Sequence, residues 1–298
     1  MHILLFGKNG QLGWELQRAL TPLGKLTALS HDSTDYCGDF LNPRGLIETI
    51  RTIKPDVIVN ATGYTAVDLA EIEQDLAMII NAKSVELLAR ESRVLGCLLV
   101  HYSSDYVFDG NGIRPWNEFD TPAPINFYGK TKLAGELAVR KYCDKYLIFR
   151  SSWIYSANGV NFIKTILNLS LERDVLSIVN DQFGSPTGAD LLADCTAHAI
   201  RAAFEDASKY GLYHLTAAGT TSWYEYAQFI VAFAKKKNNL LKVNEILGIP
   251  SCSLIRRASR PMNSRFDSRK FQHTFNLILP KWESGVERVL TELLAKLN

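Results

Sequence analysis

Two side chains in this sequence stand at a spacing that can do chemistry together. Tyr128 and Lys132 bracket the stretch Tyr128-Gly129-Lys130-Thr131-Lys132. On a helix, positions four apart share a face, so the Lys132 ammonium is expected beside the Tyr128 ring. A free phenol titrates near ~10, and a nearby cation favours the phenolate and lowers that value. A phenol so placed suits the protonation of an alkoxide that forms when a hydride reaches a carbonyl carbon. The same spacing, alone, also suits an ordinary aromatic–aliphatic contact. Upstream, Ser104 sits in His101-Tyr102-Ser103-Ser104-Asp105-Tyr106-Val107-Phe108. There it can bond both a substrate carbonyl and the Tyr128 hydroxyl, or serve as a plain turn serine.

Hydride chemistry needs a hydride donor, and the N-terminus offers a place for one. Gly7-Lys8-Asn9-Gly10-Gln11-Leu12-Gly13 follows an apolar run and precedes an amphipathic one. Glycines at this spacing let the backbone turn sharply and approach a diphosphate, and the helix behind it presents free N–H groups and a positive dipole end. A tight turn packing a helix on a sheet is the plainer reading of the same glycines. At the end of the second strand stand Ser30, His31 and Asp32. Neither of the first two is the acid that grips a ribose diol, so NADPH is expected at least as readily as NADH. Asp39 is the next acid that can reach the adenosine.

These residues need a scaffold that brings strand ends together. Strand-length apolar runs at Ile3 to Phe6, Lys25 to Ser30, Asp56 to Asn60, Cys97 to Tyr102 and Tyr146 to Arg150 alternate with helical patterns. Those helices are expected from Gly10 to Leu20, Asn42 to Ile53 and, unbroken, Asp75 to Leu95. Continuous apolar strands separated by helices predict an α/β fold of Rossmann type, a doubly wound parallel sheet covered on both faces. Beyond Trp153 the pattern loosens. Helices are expected at Leu191 to Phe204, Tyr224 to Lys236 and Val286 to Leu297, and a loop from Gly248 to Arg265. Residues 1–150 are therefore read as the dinucleotide-binding domain, and 151–298 as a smaller, partly interleaved substrate-binding lobe.

Composition narrows the classes. The chain has 298 residues, 47% hydrophobic and 21% charged, with a formal charge of +2. Such a balance fits a globular protein and argues against nucleic-acid binding. Its five cysteines are scattered, with no CxxC pair, which argues for a reducing compartment and against a zinc site. Neither a signal peptide nor a span-length apolar stretch is visible, so the expectation is a cytoplasmic protein with no membrane partner.

Taken together, the segments LLFGKNGQLGWELQ (4–17), PDVIVNATGYTAVDLAE (55–71), HYSSDYVFDG (101–110), YGKTKLAGE (128–136), IFRSSWIY (148–155), VNDQFGSPTGADLLAD (179–194), GLYHL (211–215) and ASRPMNSR (258–265) resemble the extended short-chain dehydrogenase/reductases. Among these the likeness is to the dTDP-4-dehydrorhamnose reductase family, over nearly the whole chain. It implies reduction of the C4 keto group of a dTDP-linked 4-keto-6-deoxy-L-sugar by NADPH or NADH. It implies that Tyr128, Lys132 and Ser104 are catalytic. Gly10, Gln11 and Leu12 would hold the diphosphate between Gly7 and Gly13. Ser30, Asp39, Phe40, Gly63, Tyr64, Thr65 and Tyr102 would line the rest of the cofactor. Ser104, Asp105, Tyr128, Trp153 and Arg260 would meet the substrate, an arginine suiting its diphosphate. Some members of the family form a homodimer around Mg²⁺, and Glu15, Asp190 and Glu292 stand where its ligands would be; surface carboxylates are the alternative.

The chain departs from the family pattern at Ser104, where threonine is usual, at Thr62-Gly63, and at Leu69 in place of lysine. The expected product is dTDP-L-rhamnose. Its C4 epimer, dTDP-6-deoxy-L-talose, is the alternative should the sugar present its other face. Two further readings use the same fold: a non-catalytic binding subunit, and an epimerase or dehydratase that keeps its dinucleotide through the cycle.

Overall fold

A computed structural model, describing residues 1–237 and 241–295, places six parallel strands in one sheet. They are β1 (His2–Phe6), β2 (Lys25–Leu29), β3 (Val57–Asn60), β4 (Leu98–Ser104), β5 (Tyr146–Ser151) and β6 (Gly211–His214), in the spatial order β6-β5-β4-β3-β1-β2. Strand order reverses between β1 and β3, which opens a crevice at their carboxyl ends. Both faces are covered, as the unbroken apolar strands require. Ile3, Leu5, Val57, Val59, Val100 and Phe149 face one helical layer, while Leu4, Phe6, Ile58, Leu99 and Ile148 face the other.

The first layer pairs α1 (Gln11–Leu20) with Ala189–Glu205 from the second half of the chain. The second layer holds α2 (Pro43–Ile53), α3 (Ser84–Leu95) and α4 (Phe127–Tyr142). A separate apolar cluster, including Ile163, Ile166, Tyr226, Ile230, Trp282 and Val286, unites Phe162–Glu172, Trp223–Lys235 and Trp282–Ala295. Among the described residues, no helix is long and apolar enough to cross a membrane.

Three details differ from the sequence reading. The helix expected from 75 to 95 is broken: Gln74–Met78 is followed by a wider turn over Ile79–Lys83 before α3 begins. That turn directs Asn81 inward, where its amide takes three hydrogen bonds. Its Nδ2 donates to the Tyr64 carbonyl (3.0 Å) and to Thr131 Oγ1 (3.0 Å), and its Oδ1 accepts from the Tyr64 N–H (2.8 Å). β6 is a sixth strand from beyond Trp153, too short at four residues to announce itself by periodicity. The loop expected from 248 begins inside a strand, Glu245–Ile249, paired with Val175–Val179. The final helix runs Trp282–Ala295; positions 296 and 297 of the expected span lie outside the described residues.

Helix α4 is capped by Asn126, whose side chain accepts from the Gly129 N–H (2.8 Å). It packs unusually close to its neighbours. A Cβ on Gly129 would lie 2.0 Å from the Tyr106 carbonyl oxygen, and one on Gly135 would lie 2.3 Å from that of Asn81. Gly129→Ala is therefore expected to push α4 off the turn at 105–107 and destabilise the protein by about 1–3 kcal/mol. Thermal denaturation reads this directly, and an unchanged Tm would refute the close approach.

Candidate active site

Beyond the carboxyl ends of β1, β3, β4 and β5 lies a cavity of about 450 Å³. Gly10, Gln11, Leu12, Gly63, Thr65, Tyr102, Ser104, Asp105, Tyr128, Lys132 and Trp153 are among the residues that line it. The structure thus gathers eleven residues that the sequence singled out.

The glycine loop divides its labour. Gly7 has φ +90°, a left-handed conformation, and a Cβ there would meet the Ala61 carbonyl carbon at 2.7 Å. Gly13 lies so close under the Gly7 carbonyl that a Cβ would sit 1.9 Å from its oxygen. These two glycines shape the turn from beneath and do not line the cavity. Gly10 would hold a Cβ in ordinary contact, 3.5 Å from the Gly7 carbonyl oxygen; it caps α1 without a side chain, and the first N–H groups of that helix have no intrahelical acceptor. Such a terminus fits an anionic diphosphate.

Tyr128 and Lys132 occupy the buried face of α4. Tyr128 packs edge-on against Tyr106, with ring centroids 5.4 Å apart. Lys132 Nζ donates to the Tyr102 carbonyl oxygen at 2.6 Å. Burial pushes the Tyr128 phenol up to about 12, a nearby Ser104 hydroxyl opposes this by hydrogen bonding, and Asp105 adds to it. The sequence expectation of a phenol lowered by Lys132 is corrected here. Desolvation outweighs every other influence, and the ammonium is aimed at a backbone carbonyl. Burial likewise brings Lys132 down to about 8, against the opposing pull of Glu136.

Ser104 Oγ donates to Asp105 Oδ1 (2.9 Å) and accepts from the Tyr106 N–H (3.2 Å). Asp105 Oδ2 accepts from Ser264 Oγ (2.5 Å). Burial lifts this carboxyl to about 6, although both serine hydroxyls favour its charged form. Trp153 adopts a left-handed φ of +49°. Its indole stacks on Trp223 at 3.6 Å between centroids and covers Gly184, where a Cβ would meet the ring at 2.7 Å.

Other expected residues stand apart from this cavity. Ser30 is buried; its hydroxyl donates to Asp32 Oδ1 at 2.5 Å, and both line a separate groove along β2 with Lys8 and Asn9. Asp39 Oδ1 accepts from the Leu41 N–H (2.9 Å). Phe40 is a core residue, edge-on to Phe6 with centroids 5.6 Å apart. Tyr64 turns its hydroxyl to Glu73 (2.6 Å), which drives it up to about 12. Arg260 Nη2 donates to Asp68 Oδ2 (2.7 Å), and Tyr106 feels its charge.

The proposed Mg²⁺ ligands do not assemble within the chain. Asp190 is paired with Arg288, Glu15 meets Arg18 at 3.4 Å, and no cluster of three or more His, Cys, Asp or Glu side chains able to hold a metal occurs among the described residues. Glu292 lies on the final helix without completing such a cluster.

The cavity-lining residues that sequence reasoning missed include Ser103, Ser151, Ser152 and Trp223. The three serine hydroxyls are buried without a hydrogen-bond partner. Buried hydroxyls normally find partners, so these are ready acceptors and donors for a bound molecule. Two of them fall inside the IFRSSWIY segment, where their position at the carboxyl end of β5 was the available signal.

The RmlD substrate binding domain family model matches residues 1–295. The chain is 56% identical over 293 residues to the dTDP-4-dehydrorhamnose reductase of Escherichia coli K12, covering 98% of each. A crystal structure of the dTDP-4-dehydrorhamnose reductase from Bacillus anthracis in complex with NADP is 36% identical. It superposes with a TM-score of 0.87, over 98% of this chain and 99% of that one. The Clostridium acetobutylicum dTDP-4-dehydrorhamnose reductase, 34% identical with 98% and 99% covered, gives a TM-score of 0.90.

Asp105 supplies a pH test. Its folded pKa of about 6 exceeds the ordinary carboxylate value near ~3.9. The native state therefore binds this proton more tightly than the unfolded chain does. Its contribution is fully present below the unfolded value and is lost as pH rises through the folded one, an effect on the order of 2–3 kcal/mol. Asp105→Asn should remove this contribution and flatten stability between about pH 4 and 6. Denaturant melts across that window check it; an identical slope in wild type and variant would show that Asp105 titrates normally.

Proposed function

The chain belongs to the RmlD substrate binding domain family, and on that premise we propose that it reduces the C4 keto group of dTDP-4-dehydro-6-deoxy-L-mannose to give dTDP-L-rhamnose. The observation that carries this reading is one cavity shared by the glycine loop and by Ser104, Tyr128 and Lys132. When bound, the reduced nicotinamide supplies a hydride to the carbonyl carbon.

The protein's own groups do the rest. The first N–H groups of α1 hold the diphosphate. Lys132, with one N–H donated to the Tyr102 carbonyl, has two more to donate to a ribose diol. Ser104 orients the keto oxygen beside the Tyr128 hydroxyl. Because burial keeps the phenol protonated, Tyr128 holds a proton throughout the neutral range and gives it to the forming alkoxide. The buried hydroxyls of Ser103, Ser151 and Ser152 offer hydrogen bonds to the cofactor amide or the sugar, and Trp153 offers the sugar a flat wall.

NADPH is our choice of cofactor over NADH. Ser30 and His31 carry no negative charge, Asp32 is engaged by Ser30, and Lys8 lines the same groove. We place the reaction in the cytoplasm, in keeping with five free cysteines. A homodimer across the face of α1, where Trp14 is 57% exposed, belongs to the same reading.

Stoichiometric oxidation of added NADPH by the keto sugar tests the assignment. An epimerase would consume none, and a binding subunit would turn nothing over. Tyr128→Phe should lower kcat by about 10²–10⁴-fold with little change in NADPH affinity; near-normal turnover would remove Tyr128 from the chemistry. kcat/KM with NADPH is expected to equal or exceed that with NADH. In the product, a large H3–H4 coupling is expected from an axial C4 hydrogen. A small coupling would mean delivery to the opposite face and the talo epimer.

A further inference from the structure

We infer that Glu136, fixed by Arg150 in a buried ion pair one helical turn from Lys132, is a positioning residue that keeps the Lys132 ammonium charged and so sets the alkaline limit of cofactor binding. The inference rests on the proposed function to the extent that Lys132 holds the cofactor there.

Tyr128, Lys132 and Glu136 follow at four-residue steps along the buried face of α4. Arg150 on β5 grips Glu136 with two hydrogen bonds, Nε to Oε1 at 2.8 Å and Nη2 to Oε2 at 2.6 Å. The side chains are 2% and 1% exposed. Arg150 lies over the Phe108 ring at 5.0 Å, and its Nη1 approaches His214 Nε2 at 3.4 Å. His214 Nδ1 in turn meets the Trp116 carbonyl at 2.9 Å. The guanidinium is thus fixed on several sides, and through it the carboxylate.

Such a pair is a poor device for stability. Removing two charges from water costs several kcal/mol each, and apolar residues of similar volume often serve as well. What apolar residues cannot supply is a negative charge one helical turn from a buried lysine. Burial favours a neutral Lys132, and Glu136 is the carboxylate whose field opposes it.

The other groups around Lys132 do not take over that task. His101 faces it from β4 and is held neutral by burial and by Lys132 itself. Tyr102 and Tyr128 are pushed up and stay neutral. Asp105 on the following turn is directed to Ser104 and Ser264, and Arg256 and Arg260 act on Tyr106. Asn81 and Thr131, on the adjoining turn and on α4, carry no charge.

The test is NADPH binding to the full-length protein by fluorescence titration across pH, without sugar, alongside the pH profile of kcat. Wild-type affinity should weaken as pH rises through about 8. In Glu136→Gln that step should move about half a pH unit or more to lower pH, since a favourable charge is lost. Glu136→Asp, which keeps the charge, should restore it. Glu136→Gln leaves Arg150 buried without a counter-charge, so Glu136→Gln combined with Arg150→Gln provides a neutral pair that folds without that penalty. The step should still move down in this double variant.

A folded variant lacking the carboxylate with an unmoved step overturns the inference, as does a wild-type profile with no alkaline step. Loss of stability without a shift would mark the pair as structural. Failure of wild type to oxidise NADPH with the keto sugar would instead sink the proposed function and leave the binding result standing.

Discussion

Everything chemical in this molecule depends on how closely helix α4 approaches the backbone around it. Gly129 lies against the Tyr106 carbonyl and Gly135 against that of Asn81. No side chain intervenes at either point, so α4 sits deep between the turn after β4 and the turn before α3. That depth lets Lys132 reach the Tyr102 carbonyl and puts Glu136 within reach of Arg150 on β5. Asn81 ties the same helix, through Thr131, to the backbone of Tyr64, and the adjacent Gly63 and Thr65 line the cavity. Two missing methyl groups therefore set the mutual positions of the proton donor, the lysine and the loop after β3.

Depth also decides the electrostatics. In water a lysine four residues from a tyrosine would lower the phenol's pKa, and the phenolate would raise the lysine's. Here desolvation dominates both, holding the phenol protonated and weakening the hold of the lysine on its proton. A protonated phenol suits carbonyl reduction, where the donor must carry its proton when charge appears on oxygen. The reverse oxidation would need that proton removed first. A cationic cofactor ring would assist that removal, whereas the reduced cofactor carries no such charge. Burial thus leaves the phenol carrying the proton that carbonyl reduction consumes.

The sheet and the catalytic pair were legible because their signals are local. Ile3 to Phe6 is apolar without interruption since both faces are covered, and the Tyr128 to Lys132 spacing is one helical turn. What escaped is non-local. The break at Ile79–Lys83 follows from Asn81 reaching partners at positions 64 and 131, which no window around 81 contains. β6 is held by pairing with β5, some sixty residues earlier, and not by its own four residues. The ring of Phe40, which the resemblance implies lies beside the cofactor, packs on Phe6 of β1, a neighbour far off in sequence. The phenol shift was misjudged for a related reason: spacing reports which groups are neighbours, while burial is a property of the whole fold.

The face of the sugar that meets the hydride is a matter of small energies, since ~10-fold selectivity needs only about 1.4 kcal/mol. The structure narrows which residues can supply them. Of the four departures from the family pattern, Thr62, Gly63 and Ser104 line the cavity, whereas Leu69 is 49% exposed and does not. Ser104 keeps the hydroxyl and its two hydrogen bonds, so its change removes a methyl group and leaves the polar geometry alone. Thr62 is fixed through its backbone N–H to Asn60 Oδ1 at 3.0 Å. Against these stands Trp153, held in a left-handed conformation that costs on the order of 1–3 kcal/mol and supported by its stack on Trp223. A strained, stacked indole is a rigid wall, while the change at Ser104 removes one methyl group and that at Thr62 adds bulk to the cavity lining. A fixed wall restricts how a sugar ring can lie more than a single lost methyl group frees it.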